Sequence, residues 1–357
     1  MENDRSLRSR VQSYPQAACC AQSAGQGWRR AWGLENDRGM DAPQLISRRQ
    51  ALACGISDTD LRRLCHSGAW QRVRAGQYLR TPQSELTAVG RHLMLALATG
   101  EAMSDAAVAS HCSAVVIHGA PAWALPLDRV HMTRDRINGG RRGKQLVVHS
   151  AQIEPDEITI VNGIRVTTPA RTVIDIARSE SFEQSVAVAD SFLHQGLTTA
   201  DELRAHLLRA RYRPGSRKAA QVVGFADGRS ESVGESRSRI AIRRGGLPAA
   251  ELQARVFTDD GVCVGRVDFL FAELGVVGEF DGQVKYQSEL RGARGPEQVV
   301  IAEKIREDKL RALGWMVVRW TWNDLDHPDQ LIRRIRAAAA AAAHARRVGC
   351  WTPTPTI

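Results

Sequence analysis

Between Val264 and Tyr286 the sequence places acids where apolar residues are expected. Asp268 interrupts Val264-Gly265-Arg266-Val267-Asp268-Phe269-Leu270-Phe271, and Glu279 and Asp281 close the run Val276-Val277-Gly278-Glu279-Phe280-Asp281. Side chains of a strand alternate between its faces, so Glu279 and Asp281 share one face, and pairing of the two segments brings Asp268 beside them. Carboxylates gathered at one point repel each other and resist burial unless a cation compensates, which points to Mg²⁺ or Mn²⁺ held by oxygen ligands. Such an ion, with open positions, acidifies a bound water and stabilises charge developing on a phosphate; the chemistry indicated is phosphodiester hydrolysis. Lys285 is the nearby cation able to support the transition state, provided that a loop carries it back past Gly282. The plainer reading of Glu279 and Asp281 is a pair of solubilising carboxylates at a sheet edge. The Gly-Val-Val-Gly stretch before Glu279, which reads as an internal strand, argues against it.

The elements needed to hold these acids are present in order. A helix from Val233 carries Glu235, followed by a strand over Gln253–Phe257, a Thr258-Asp259-Asp260-Gly261 turn that marks a hairpin, and the two acid-bearing strands. A helix over about 298–313 and a strand Met316–Trp320 complete the order αβββαβ. Together with Glu279-Phe280-Asp281-Gly282, Lys285-Tyr286, Glu303-x-x-Arg306-x-x-x-Leu310-x-x-x-Gly314-Trp315 and Arg319, this segment resembles the PD-(D/E)XK nucleases, specifically their Vsr-like branch. The resemblance implies a restriction-endonuclease-like domain over 226–348. In it Asp268, Glu279 and Asp281 hold the metal, Glu235 joins directly or through water, and Lys285 polarises the phosphate. It departs from the common pattern in one respect: the lysine position of acid-x-Lys is occupied by Asp281. That departure leaves room for a domain that binds DNA without cutting it. Arg306, three residues after Glu303, can contact a phosphate or form an i,i+3 ion pair, and the fold-supporting ion pair is the preferred reading.

Near the other end, residues 41–82 give a short helix over Leu45–Cys54, a second over Asp58–Ser67 capped by Ser57 or Asp58, and a hairpin of Trp70–Val73 and Gln77–Leu79. Leu61 and Leu64 form the buried stripe of the second helix. Helix, helix, hairpin is the order of a winged helix, and the stretch Ile46–Leu79 resembles the N-terminal domain of AbiEi-type antitoxins and related regulators. The resemblance implies DNA binding, with Arg62 and Arg63 on the recognition helix, Arg72 and Arg74 on the wing, and Arg48 and Arg49 as phosphate contacts. A solvated basic face on a docking domain is the competing reading.

The middle, 83–225, alternates apolar helices with short strands such as Val130–Thr133 and Leu146–His149, and resembles the central part of the same regulators. Thr168-Pro169 opens a helix with Arg171 and Asp175 one turn apart, which speaks for architecture rather than catalysis. Residues 209–230 read as a connection, 349–357 as a frayed tail, and 1–40, which lack any apolar period, as a disordered or mis-annotated extension before Met40.

With 49 Lys and Arg against 39 Asp and Glu, the formal charge is +10, which favours a polyanionic partner. Seven cysteines without a CxxC argue against a disulfide scaffold or zinc ribbon, and the absence of a long apolar run argues for a cytoplasmic setting and no membrane. The expectation is thus a mixed α/β chain, α+β overall, consisting of a winged helix, an α+β middle and a nuclease-like αβββαβ domain. It is a metal-dependent endonuclease or, alternatively, an AbiEi-type antitoxin and transcriptional regulator with an inactive nuclease-like domain. DNA, a cognate toxin and a second copy of the chain are the expected partners.

Overall fold

The computed structural model describes residues 45–80, 86–103, 106–136, 139–282 and 296–355, of which 296–300 by backbone alone. The extension over 1–40 and Lys285 lie outside the described residues. The chain forms two compact units divided between Thr168 and Pro169, inside the segment expected to be the middle domain.

The first unit begins with β1 (Leu45–Ser47), α1 (Arg48–Ala53), α2 (Asp58–His66), β2 (Gln71–Arg74) and β3 (Gln77–Leu79). The expected first helix starts three residues late, because Leu45–Ser47 pairs antiparallel with β3, giving a sheet of order β1-β3-β2. Ser47 then caps α1 in a capping box with Gln50, and Ser57 caps α2 with Asp60, satisfying amide groups that each helix start leaves open. Leu61 and Leu64 turn inward against Ala51, Ile56 and Trp70, as the helical spacing requires. Gly76, at φ +75°, makes the tight turn of the wing. This part of the unit is of the winged-helix type. Its hairpin is continuous with the rest of the unit, since Val73 and Leu79 share a core with Leu86, Leu93 and Met94.

That core is covered by α3 (Ala88–Ala102), α4 (His111–Ile117) and a six-stranded sheet. Its strands are β4 (Ala107–Ala109), β5 (Val130–Arg134), β6 (Arg141–Arg142), β7 (Leu146–Ser150), β8 (Ile158–Val161) and β9 (Ile164–Thr167), in the order β6-β7-β5-β4-β9-β8. β5 runs parallel to β7, pairing His131 with Val147 and Thr133 with His149.

The second unit opens with α5 (Pro169–Ser179), α6 (Phe182–His194), α7 (Ala200–Arg209) and α8 (Ser216–Val223). The last of these lies inside the expected connection 209–230. Pro169 does start α5, but the buried Thr168 Oγ1 has no hydrogen-bond partner among the described residues and does not cap it. Arg171 and Asp175 pair at 2.9 Å on the buried side of α5.

The αβββαβ order is present as expected: α9 (Val233–Arg244), β10 (Glu251–Phe257), β11 (Cys263–Phe271), β12 (Val276–Phe280), α10 (Pro296–Ala312) and β13 (Met316–Trp320). α11 (Trp322–Asp326), α12 (Pro328–Ala342) and β14 (Cys350–Thr352) complete the unit. The sheet order is β13-β12-β11-β10-β14, with β12 and β13 parallel and the other neighbours antiparallel. The expected frayed tail is thus an edge strand, paired to β10 from Arg255↔Thr352 to Phe257↔Cys350. One core joins Phe269, Phe271 and Trp320 to Ile242 of α9 and to Leu331 and Ile335 of α12. The other joins Val267, Leu270 and Val277 to Leu310 of α10. α9 can approach the sheet closely because residue 234 is glycine: a Cβ there would stand 1.9 Å from the Phe280 ring.

Candidate functional site

The winged helix presents its basic residues unequally. Arg48, at the start of α1, makes a two-pronged contact with Asp58 at the start of α2, Nε to Oδ1 at 2.7 Å and Nη2 to Oδ2 at 2.5 Å. It therefore ties the two helices together and is not held ready for phosphate. Arg63 is paired with Asp60 of its own helix. Arg74, on the wing, is half-buried. Arg49 and Arg62 are exposed and have no salt bridge among the described residues, and Arg72 is exposed on the wing.

In the second unit the sequence-predicted acids separate into two groups. Glu235, in the first turn of α9, is 9% exposed; it accepts hydrogen bonds from Ser232 Oγ (2.7 Å), the Glu231 amide (3.0 Å) and Gln253 Nε2 (2.8 Å). Burial, reinforced by the neighbouring Asp268 charge, pushes its carboxyl up to about 7. Asp268 accepts from the Phe280 amide at 2.9 Å, and burial raises its pKa as well. Glu279 turns elsewhere. It stands opposite Arg319 in the parallel β12–β13 pair, with Oε2 3.2 Å from Arg319 Nη2 and Oε1 2.7 Å from Arg306 Nη2. Glu303 bridges the same two arginines, and Glu307 lies 3.1 Å from Arg319. The expected Arg306–Glu303 pair is thus one edge of a larger network.

Among the described residues, Asp268, Glu279 and Asp281 form no set whose ligand atoms all lie within 4.8 Å of one another. The physical reason lies in the two guanidinium groups, which supply at Glu279 the positive charge that a divalent cation would bring. Asp281 lies just beyond the end of β12, its amide donating to Trp320 O at 2.7 Å.

A cluster to which the sequence alone assigns no chemistry lies in the first unit. His111 opens α4, His131 is on β5, and His149 is on β7. The His149 Nε2 and His131 Nδ1 share a hydrogen bond of 3.1 Å, and the rings of His111 and His149 stack with centroids 3.8 Å apart. Burial, with His149 and His92 close by, pushes His131 down to about 4. Among the described residues this is the only group of three His, Cys, Asp or Glu side chains with ligand atoms mutually within 4.8 Å. The available signal is that two strands each carry a histidine and a third follows a strand, but which strands are neighbours is not visible in spacing alone.

Two segments of the chain match models of known families. Residues 41–81 match the family described as "Transcriptional regulator, AbiEi antitoxin", and 106–225 match "AbiEi antitoxin C-terminal domain". Two segments of the chain are thus similar to domains of the AbiEi antitoxin family. Uncharacterized protein MT2308 and Uncharacterized protein Rv2248, from two strains of Mycobacterium tuberculosis, are each 30% identical over 176 residues. That alignment takes in 49% of this chain and 62% of each relative. Among solved structures, the RV2827C protein from Mycobacterium tuberculosis overlaps at a TM-score of 0.35 with 14% identity, over 55% of this chain and 76% of that one. Among the described residues, no helix is long and apolar enough to cross a membrane.

Proposed function

We propose that this chain is a DNA-binding transcriptional regulator of the AbiEi antitoxin type, with a cognate toxin as its protein partner, and that its αβββαβ domain does not cut DNA. The observation that carries the reading is the winged helix of 45–79, whose second helix buries Leu61 and Leu64 while exposing Arg62, and whose wing exposes Arg72. A helix so placed can enter a major groove while the wing tracks the backbone. The family matches at 41–81 and 106–225 support it. The acids of the αβββαβ domain support its second half, because Glu279 is neutralised by Arg306 and Arg319. The nuclease-like order of elements then serves as a folded scaffold for contacts with DNA or the toxin.

Binding to DNA from upstream of the chain's own gene, measured by fluorescence anisotropy, tests the reading. The expected result is specific, salt-sensitive binding that weakens when Arg62 and Arg72 are both replaced by alanine. Binding that ignores both substitutions overturns it. In parallel, supercoiled plasmid incubated with Mg²⁺ or Mn²⁺ is expected to stay intact. Nicking by the unsubstituted chain that Asp268→Ala abolishes would restore the endonuclease reading.

A further inference from the structure

We propose that His111, His131 and His149 bind a first-row transition-metal cation, with Zn²⁺ as the best fit, at a site on the six-stranded sheet of the first unit. It is independent of the acidic residues in the second unit and of the DNA-binding reading.

The topology brings the three rings together. His131 pairs with Val147 on the parallel neighbour strand, and His149 lies two residues further on, so the two histidines project from one face of adjacent strands. β4 pairs with β5 on the other side, and the Ser110 amide donates to His131 O at 3.0 Å, so the chain leaves β4 directly above β5 and delivers His111 onto that face. His111 has φ +50°, a left-handed conformation that costs a non-glycine residue roughly 1 kcal/mol or more. A backbone held in that region at the one residue whose ring completes the cluster is characteristic of a binding site.

The distances suit a small cation once the His111 ring, stacked on His149 at an interplanar angle of 14°, turns so that the nitrogens of both rings face one point. Ligand bonds of about 2.0–2.1 Å in a tetrahedron set neighbouring donor atoms roughly 3.3 Å apart. His149 Nε2 and His131 Nδ1 are already 3.1 Å apart, and all three ligand atoms lie within 4.8 Å. The site also has the supporting hydrogen bonds that fix a ligand ring. His111 Nδ1 shares a 3.0 Å hydrogen bond with Ser110 Oγ, which in turn accepts from Thr133 Oγ1 at 2.7 Å. Holding Nδ1 in this way leaves Nε2 of His111 as the metal-facing nitrogen. The backbone of His131 is anchored likewise, its amide donating to Ser113 Oγ at 2.8 Å, and Ser113 Oγ is bonded to His92 at 2.9 Å.

His131 and His149 share a hydrogen bond and His149 stacks on His111, and protonation of any ring would repel the other two. A cation gives every ring an acceptor for its lone pair. Three imidazole nitrogens favour Zn²⁺, Cu²⁺, Ni²⁺ or Co²⁺ over Mg²⁺ or Ca²⁺, which prefer oxygen. His111 is buried, whereas His131 and His149 are half-buried, so a fourth position is open to water or to a ligand from outside. Such a site cross-links β5, β7 and the start of α4.

The test uses the full chain stripped with a chelator and dialysed, titrated with Zn²⁺ by calorimetry and with Co²⁺ by visible absorption. One Zn²⁺ per chain is expected. His149→Ala and His111→Ala should each weaken binding by roughly 100-fold or more, beyond the loss caused by removing a supporting hydrogen bond, and Ser110→Ala by on the order of 10-fold. The Co²⁺ form of the unsubstituted chain should show the intense visible bands of a four-coordinate ion without a thiolate charge-transfer band. That spectrum decides the matter even where a variant fails to fold. A thiolate band, which would place the ion on exposed cysteines such as Cys54, Cys263 or Cys350, overturns the proposal. So do equal Zn²⁺ affinities for the chain and both histidine variants, or no binding at all.

Discussion

Arginine does opposite work in the winged helix and in the αβββαβ domain. On α2, Arg62 stands in solvent with no salt bridge among the described residues, so its charge is available to a partner. Beside β12, Arg306 and Arg319 are drawn onto Glu279, which is 8% exposed, and their charge is used up inside the fold. The difference lies in what surrounds each guanidinium. An exposed charge keeps its hydration and loses little when a phosphate replaces water, whereas a buried carboxylate must be matched by a cation at once, and a side chain of the same protein matches it permanently. The buried acid beside β12 is therefore matched within the fold, whereas the exposed arginine on α2 is left for a partner.

Removing Glu279 gives the largest effect that this contrast predicts. Glu279→Ala leaves Arg306 and Arg319 with Glu303 and Glu307 as their acidic partners among the described residues, and breaking a buried ion network from one side costs about 3 kcal/mol. Urea denaturation monitored by circular dichroism should show a loss of that order, while DNA affinity of the folded chain stays unchanged. A chain that gains stability and binds Mn²⁺ on this substitution would mean that the arginines are incidental to the acids.

The next effect is a pH dependence set by Glu235. Its folded pKa of about 7 exceeds the ordinary 4.5, so between these values the folded chain keeps a proton that the unfolded chain releases. Stability from this residue is therefore complete below about pH 4.5 and falls as the pH rises through about 7, by on the order of 3 kcal/mol in all. Glu235→Gln removes the titration. Its side chain can donate to Gln253 Oε1, which has no hydrogen-bond partner among the described residues, after the Gln253 amide rotates. The variant should be more stable than the parent at pH 8 and should lose that advantage at pH 5. Parallel denaturation profiles at the two pH values would show that Glu235 is not the group responsible.

Much of the fold is legible in the sequence, for reasons that also mark where legibility stops. The αβββαβ order can be read because each strand has an apolar run bounded by turn residues, and Asp259-Asp260-Gly261 fixes the hairpin between β10 and β11. The buried stripe of α2 is set by Leu61 and Leu64. Features that depend on long-range pairing cannot be read. β1 is a strand because β3 is available to pair with it, and β14 becomes an edge strand because β10 has a free side about a hundred residues earlier in the chain. The surroundings of the acids are hidden for the same reason: strand period places Glu279 and Asp281 on one face, but only the parallel pairing of β12 with β13 brings Arg319 opposite Glu279. The three histidines are spread over β4–α4, β5 and β7, and their meeting is a property of strand order, to which residue spacing is blind.

The smallest effect separates two adjacent arginines on one helix. Arg62 and Arg63 are neighbours on α2, and sequence alone gives them the same role. In the structure Arg63 reaches back to Asp60, the acid that also closes the capping box with Ser57, whereas Arg62 has no salt bridge among the described residues. Arg62→Ala should weaken DNA binding about tenfold and lower the salt slope by about one unit. Before Arg63 can contact DNA it must leave Asp60, and the gain and the loss are of similar size for exposed pairs, so Arg63→Ala should change affinity by less than about threefold. Asp60→Ala then becomes the sharper probe: it frees Arg63, so the affinity should rise as the α2 cap weakens by about 1 kcal/mol. Equal losses for Arg62→Ala and Arg63→Ala, with no gain from Asp60→Ala, would mean that the ion pair opens freely and that the two arginines face DNA as one surface.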